Sequence, residues 1–370
     1  MVPNVVPKLA KLGFEVVVEK GAGAAAGYTD DAYAAKGATL GSAADALGCE
    51  LVIAINVPDW GAMAAGQMLA CIADPFRDTA RVSAMAAAGL TLFSMDMIPR
   101  RLSRAQSMDV NSSQDNLAGY KAVLLGAAAV ACMIPMMMTS AGTVKPAKYV
   151  VMGAGVAGLQ AIATAKRLGA VVWASDVRLA AKEQIESLGG KFIAVEGMED
   201  FEDESGYAKP LTPEFIQKVN DTVCEVARDA DVVVTTARLF GRPAPITVPA
   251  SAVEAMKPGT VVVDMNTASG GNCELSVAGE TVVKHGVTII GEANLPGTVP
   301  HTASLFYANN LASFAAALVS DGKLAPDFED EILVGALQGD AFHVPEMGGV
   351  LVAHAGEIHA AQSRLQVASG

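Results

Sequence analysis

The stretch YVVMGAGVAGLQAIATAKRLGAVVWASD, residues 149–176, decides the fold. It opens on a short apolar, β-branched run, turns at Gly153, Gly155 and Gly158, and continues from Leu159 to Leu168 with helical character before Gly169. A second β-branched run, VVWASD, follows and ends on Asp176. Strand, glycine turn, helix and strand make one βαβ unit, and the glycines have the G-x-G-x-x-G spacing of a dinucleotide fingerprint. The first glycine permits the tight turn, the second lets the backbone approach a pyrophosphate, and the third lets helix and strand pack closely. The N–H groups and positive dipole end of the helix start suit phosphate. Asp176 lies 18 residues beyond Gly158, near the spacing at which a carboxylate accepts from the adenine-side ribose hydroxyls. A carboxylate there repels a 2′-phosphate, so the pattern favours NAD(H) over NADP(H), although Arg178 is a residue type that accommodates such a phosphate.

The same alternation runs through the chain. FEVVVEKGAG, CELVIAIN and GLTLFSMDM read as strands in the first third, and KFIAVE, DVVVTTA, TVVVDMN and VTIIGEAN follow the fingerprint. Continuous apolar strands imply burial on both faces, hence parallel sheets covered by helices. The fold class is α/β, with two doubly wound Rossmann-like domains, parallel sheets and a cleft between them. Residues 1–115 with about 300–345 are assigned to a first α/β domain, 116–299 to the NAD(H)-binding Rossmann domain, and 346–370 to a weakly structured tail. Leu311, Phe314 and Leu318 fall at i, i+3 and i+7, which predicts a long amphipathic helix returning to the first domain. The uncharged run 122–138 holds Gly126, several alanines and Pro135. It reads as a buried connecting helix in preference to a membrane span.

With 370 residues, 52 % apolar and 18 % charged, the chain has enough apolar material for two globular domains. A net charge of −13 and a pI near 4.8 argue against nucleic acid or anionic lipid as partners, since Lys and Arg supply that attraction. Cys49, Cys71, Cys132, Cys224 and Cys273 are scattered, which reads as reduced thiols in a cytosol-like compartment with no metal site. The N-terminus lacks a secretory h-region. A dehydrogenase acting on a hydroxy or amino acid needs a proton acceptor beside the nicotinamide. Here His285, His301, His343, His354 and His359 all lie toward the C-terminal end of the chain. An acceptor that needs no deprotonation, such as a second nicotinamide, fits that pattern, and positioning alone then supplies much of the catalysis.

PRRLSRAQSMDVNSSQDNLAGYKAV, MMMTSAGTVKPAKYVVMGAGVAGLQAIATAKRLGAVVWASDVR, SLGGKFIAV, GYAK, VVDMNTASGGNCE and LPGTVPHTASLFYANNL together resemble the NAD(H)-binding domain I, carried on the α subunit, of proton-translocating NAD(P) transhydrogenase. That family belongs to the alanine dehydrogenase/transhydrogenase superfamily. The resemblance implies NAD(H) on this chain, NADP(H) on a partner subunit, and Re/Si-specific hydride transfer between them. Membrane-spanning proton-channel subunits would couple the transfer to proton translocation. It further implies a homodimer, activity only with the partners, and a peripheral place on the cytoplasmic face of the inner membrane without direct insertion.

By the same resemblance Arg101 binds near the carboxamide, Gln106 reaches toward the NADP(H)-bearing partner, and Asp109 and Ser112 hold the nicotinamide ribose and ring. Gln106, Ser107, Met108, Asp109, Gly153, Gly155, Val156, Ala157, Gly158, Asp176, Val177, Arg178, Gly206, Ala237 and Arg238 are implied to line the dinucleotide. The sequence departs from the family in three places: MVPNVVP replaces the opening RVAISP-like strand, Ala268 stands where Glu is expected, and Arg238 stands where an apolar residue is usual. Two alternatives compete. One is an NAD-dependent alanine dehydrogenase, a family that needs a lysine and a histidine in its first domain. The other is a non-catalytic NAD-binding module.

Overall fold

A computed structural model describes residues 1–100, 102–198, 212–239, 242–334 and 349–358. They fall in two compact units, one within Met1–Gln114, Phe240–Arg242 and Val299–Gly370, the other within Asp115–Leu239 and Pro243–Thr298.

In the first unit, β1 (Val17–Glu19) and β2 (Thr39–Gly41) form a parallel pair. β3 (Leu51–Asn56), β4 (Met68–Ile72) and β5 (Thr91–Ser94) run parallel in a second sheet. Ala70 and Phe93 enter one apolar cluster, Leu69 and Leu92 another, so both faces are covered and the strands read as unbroken apolar runs. Sequence reasoning did not find β4. Its Met, Leu and Ala lean toward helix, and pairing with β3 and β5 overrides that local preference.

Helix α1 (Val110–Ala129) begins in the first unit and continues in the second. The single helix expected over 122–138 is corrected: it stops at Ala129, Pro135 cannot continue an N–H ladder, and β6 (Met137–Thr139) and β7 (Gly142–Val144) form an exposed hairpin. Among the described residues no helix is long and apolar enough to cross a membrane.

The second unit comprises β8 (Lys148–Met152), α2 (Val156–Arg167), β9 (Val171–Ser175), β10 (Lys191–Phe192), β11 (Val232–Thr235), β12 (Val261–Asp264), β13 (Thr281–Lys284) and β14 (Val287–Ile290), with further helices. The sheet order is β10-β9-β8-β11-β12-β14-β13, parallel except for β13. The strand order reverses between β8 and β11, where doubly wound sheets open a ligand crevice at the strands' carboxyl ends. Val151, Val234 and Val263 pack on one side of the sheet, and Val150, Val233 and Val262 on the other.

Two backbone approaches set this unit. A Cβ on Gly158 would stand 1.9 Å from the Gly153 carbonyl oxygen, and one on Gly119 of α1 would stand 2.0 Å from that of Ala157. Helix α1 therefore crosses the first turn of α2 in backbone contact.

In the first unit α3 (Pro300–Ala317) buries Leu311 and Phe314 completely, with Leu318 at its C-cap. The amphipathic expectation is too simple. Ala308, Ala312 and Ala315 are also buried, against Val2, Val5 and Leu9, so the helix is covered on more than one side. After a small hairpin, β15 (Val319–Ser320) and β16 (Lys323–Leu324), the chain contributes β17 (Leu351–His354) and β18 (Glu357–Ile358). The expectation of a weakly structured tail is corrected over these residues: β17 pairs antiparallel with β5, and Leu351, Val352 and Ala353 are buried. A four-residue strand carries too little pattern to be read alone, and its neighbour decides it.

Gly119→Ala forces α1 off α2. It is expected to lower stability by about 1–3 kcal/mol, the usual cost of overpacking, seen as a lower denaturation midpoint of the second unit.

Candidate functional site

In the second unit the fingerprint glycines take separate tasks. Gly153 has φ 102°, and the Thr236 hydroxyl donates to the carbonyls of Met152 and Gly153 at 3.1 Å each. The strand-order reversal is thus pinned by Thr236, the middle residue of the TTA segment that the resemblance implies along the dinucleotide. Gly155 occupies the N-cap of α2 with no side-chain cap. It is exposed, and a Cβ there would meet nothing within 4 Å. The first N–H groups of the helix therefore face open space beside a residue that leaves room for phosphate oxygens. Val156 is half-buried; Ala157 and Gly158 are buried.

Asp176 follows β9, and its carboxylate accepts from the Ala154 N–H at 2.8 Å. Arg178 doubles back onto it, with its backbone N–H at 2.9 Å, Nε at 3.0 Å and Nη2 at 3.2 Å. The acid at the end of the second strand is thereby fixed against the glycine turn, and Val177 lies between the two partners.

The Ala237 carbonyl accepts from Nδ2 of both Asn266, at 3.1 Å, and Asn272, at 2.8 Å. The fully buried Asp264 organises that pair. It accepts from the backbone N–H groups of Asn266 (3.0 Å), Asn272 (2.8 Å) and Cys273 (2.9 Å) and from the Ser276 hydroxyl (2.7 Å). Arg238 is exposed and pairs with Asp115 at 3.5 Å. Ala268 lies on a 3₁₀ turn, Thr267–Ser269, in the loop that Asp264 holds.

In the first unit, the polar segment after β5 is a structured element. Ser103–Met108 is a 3₁₀ helix, and Asp109 caps α1 by accepting from the Ser112 N–H at 2.8 Å. The Asp109 carboxylate also accepts from the Ser112 hydroxyl at 2.5 Å and from Arg100 Nε at 3.2 Å, while Arg100 Nη2 reaches the Ser112 oxygen at 2.8 Å. Asp109 and Ser112 are brought together, and their guanidinium partner is Arg100, which sequence reasoning did not single out. The resemblance singled out its neighbour Arg101. Arg101 and Gly206 lie outside the described residues. Met108 is buried in the core with Ala105, whereas Gln106 and Ser107 are exposed. Arg104 forks onto Asp330 at 2.7 Å on each arm and holds that carboxyl below its ordinary range.

The carboxyl ends of β3, β4 and β5 lead into Val57 to Asp59, Ala73 to Asp78 and Met95 to Arg100, which contain no lysine or histidine. Asp96 there is buried, and that burial raises its pKa. Its carboxylate accepts from the N–H groups of Ala73 and Asp74 at 3.2 Å each, tying the loop after β4 to β5. Three histidines have structural surroundings: His301 stacks on Tyr28 with centroids 4.4 Å apart, His354 meets the Thr91 hydroxyl at 2.9 Å, and His285 sits in the turn between β13 and β14. His343 and His359 lie outside the described residues.

A methyl group at Gly155 meets no protein atom, so Gly155→Ala is expected to keep the wild-type melting temperature. It should weaken NADH binding about tenfold, 1.4 kcal/mol, when measured by calorimetry.

Comparison with known proteins agrees with this geometry. Residues 1–118 match the family "Alanine dehydrogenase/PNT, N-terminal domain" and residues 122–344 match "Alanine dehydrogenase/PNT, C-terminal domain". The first polypeptide of NAD(P) transhydrogenase subunit alpha from Rhodospirillum rubrum is 48 % identical, covering 90 % of each chain. The same polypeptide of Rickettsia prowazekii is 39 % identical over 88 % of each. The alanine dehydrogenase of Mycolicibacterium smegmatis is 26 % identical over 90 % of this chain and 87 % of its own. Among solved structures, the transhydrogenase from Sinorhizobium meliloti superposes with a TM-score of 0.83 at 44 % identity, covering 96 % of this chain and 94 % of that one. An L-alanine dehydrogenase shares the fold with a TM-score of 0.74 at 24 % identity, covering 100 % and 94 %. By these matches the chain belongs to the alanine dehydrogenase/PNT family, among the NAD(P) transhydrogenase alpha subunits.

Proposed function

We propose that this chain is the NAD(H)-binding subunit of a proton-translocating, Re/Si-specific transhydrogenase, exchanging hydride with NADP(H) held by a partner subunit. When bound, the cofactor supplies a hydride at C4 of its nicotinamide. The observation that carries the reading is a complete dinucleotide turn in the second unit combined with the segments after β3, β4 and β5 in the first unit, which offer no lysine or histidine as proton acceptor. That absence weighs against an amino-acid dehydrogenase, in which hydride and proton leave the substrate together.

The residues divide the work. Open space at Gly155 and the uncapped start of α2 receive the pyrophosphate. Asp176 is assigned to the adenine-side ribose hydroxyls, which share its two oxygens with the donors of Ala154 and Arg178. Arg178, already committed to that carboxylate, is not offered to a 2′-phosphate, which supports NAD(H) over NADP(H). Asp109, Ser112 and Arg100 form the polar group that orients the nicotinamide end, and exposed Gln106 faces the partner's cofactor. No residue has to move a proton at the reacting carbon, so rate comes from alignment.

Exposed Met136 and Met138 on the β6–β7 hairpin make an apolar surface on an otherwise acidic chain, which supports self-association into a homodimer. Proton translocation is assigned to membrane-spanning partners, with this chain peripheral on the cytoplasmic face of the membrane.

Mixing the chain with an NADP(H)-binding transhydrogenase component and following transfer from NADH to an NADP⁺ analogue tests the reading. A rate no higher than that of either component alone overturns it. In that assay Gln106→Ala is expected to lower kcat several-fold with NADH affinity and melting temperature unchanged. Asp176→Ala should weaken NADH binding by about 1–3 kcal/mol, the range for losing a charged hydrogen-bond acceptor, and unchanged affinity would remove Asp176 from the site.

A further inference from the structure

We propose that the Arg104–Asp330 fork is a latch that sets the position of Gln106 and Ser107, making Arg104, Asp330 and Asn310 positioning residues for hydride transfer. The proposal rests on the functional reading above only for its activity readout.

The 3₁₀ segment Ser103–Met108 has little to hold it by itself, because its hydrogen-bond geometry is poor and such runs are rarely long. Three outside contacts fix it, all within the first unit. Ala105 and Met108 sink into a cluster with Tyr307, Leu311 and Phe314. Asn310 on α3 donates from Nδ2 to the Ser107 carbonyl at 2.8 Å, and its Oδ1 accepts from the Ser113 hydroxyl at 2.8 Å. One amide therefore holds both the end of the 3₁₀ segment and the first turn of α1. The third contact is the fork, in which both Nη atoms of Arg104 reach both oxygens of Asp330 at 2.7 Å.

The receiving carboxylate is itself held. Asp330 Oδ1 accepts from the Ile332 N–H at 2.7 Å, and the side chain is 22 % exposed. A bidentate pair on a fixed acceptor specifies direction as well as distance. Arg104 is 52 % exposed, so solvent screens the pair and its share of global stability is small. Local openings cost far less than global unfolding, and a contact too weak to matter for the whole fold still governs a short surface segment. Asp330 lies 226 residues from Arg104 in sequence. The final described third of the chain thus reaches back to the segment that presents Gln106.

Hydrogen exchange of the residue 103–108 amides in the full chain tests the latch directly, alongside transfer with the NADP(H)-binding component. Arg104→Gln and Asp330→Asn are the variants; the asparagine keeps an oxygen for the Ile332 N–H. Each is expected to speed exchange about tenfold and to lower transfer kcat several-fold, with NADH affinity and melting temperature unchanged. The double variant should be no worse than either single, because both remove one contact, and Arg104→Lys should recover some of the loss. Unchanged exchange in the single variants, effects that add in the double variant, or kcat falling only together with melting temperature would each overturn the latch. If the wild-type chain transfers no hydride, the functional reading fails while the exchange rates still decide the latch.

Discussion

Among the described glycines the closest approach is that of Gly158 to the Gly153 carbonyl, where even a methyl group would overlap backbone. It brings α2 down onto β8, aims the helix start along the strand's carboxyl end, and leaves Gly155 at an uncovered corner. Gly119 repeats the device from α1. Dinucleotide recognition then needs no dedicated charged side chain at the phosphates, since backbone N–H groups and the helix dipole supply the attraction. An acidic chain can therefore bind an acidic cofactor.

Within each unit the polar groups are engaged with one another. Asp176 is clasped by Arg178, Asp109 by Arg100 and Ser112, and Asp264 by three backbone N–H groups and the hydroxyls of Thr235 and Ser276. Preorganisation of this kind reduces the reorganisation needed when a substrate binds. It suits a reaction in which alignment carries the rate.

Much of this was legible in the sequence. Every β-branched run named there contains a strand, and the Rossmann unit follows from glycine spacing and the acid after it. What escaped has a common physical cause. Met68–Ile72 and Leu351–His354 become strands through their neighbours, one strand away for the first and across the whole second unit for the other, and no local pattern records a pairing partner elsewhere in the chain. The same holds for the site. Resemblance pointed to Asp109 and Ser112; Arg100, in the same segment, emerges from side-chain geometry, and Asn310 and Asp330 only when distant segments are placed together. Gly206 and Arg101 lie outside the described residues, and Met108 turned inward because the 3₁₀ segment needs an apolar anchor.

The interleaving of the two units carries a consequence for synthesis. The second unit is almost contiguous in sequence, whereas the first takes its β17 and α3 from beyond residue 298. Domains commonly fold as they leave the ribosome, N-terminal segments first. Here β3 to β5 emerge early yet lack β17 beside β5, and Val2, Val5 and Leu9 lack the α3 alanines that cover them. The partners that cover β5 and the Val2, Val5 and Leu9 side chains are therefore made only after the Rossmann unit between them.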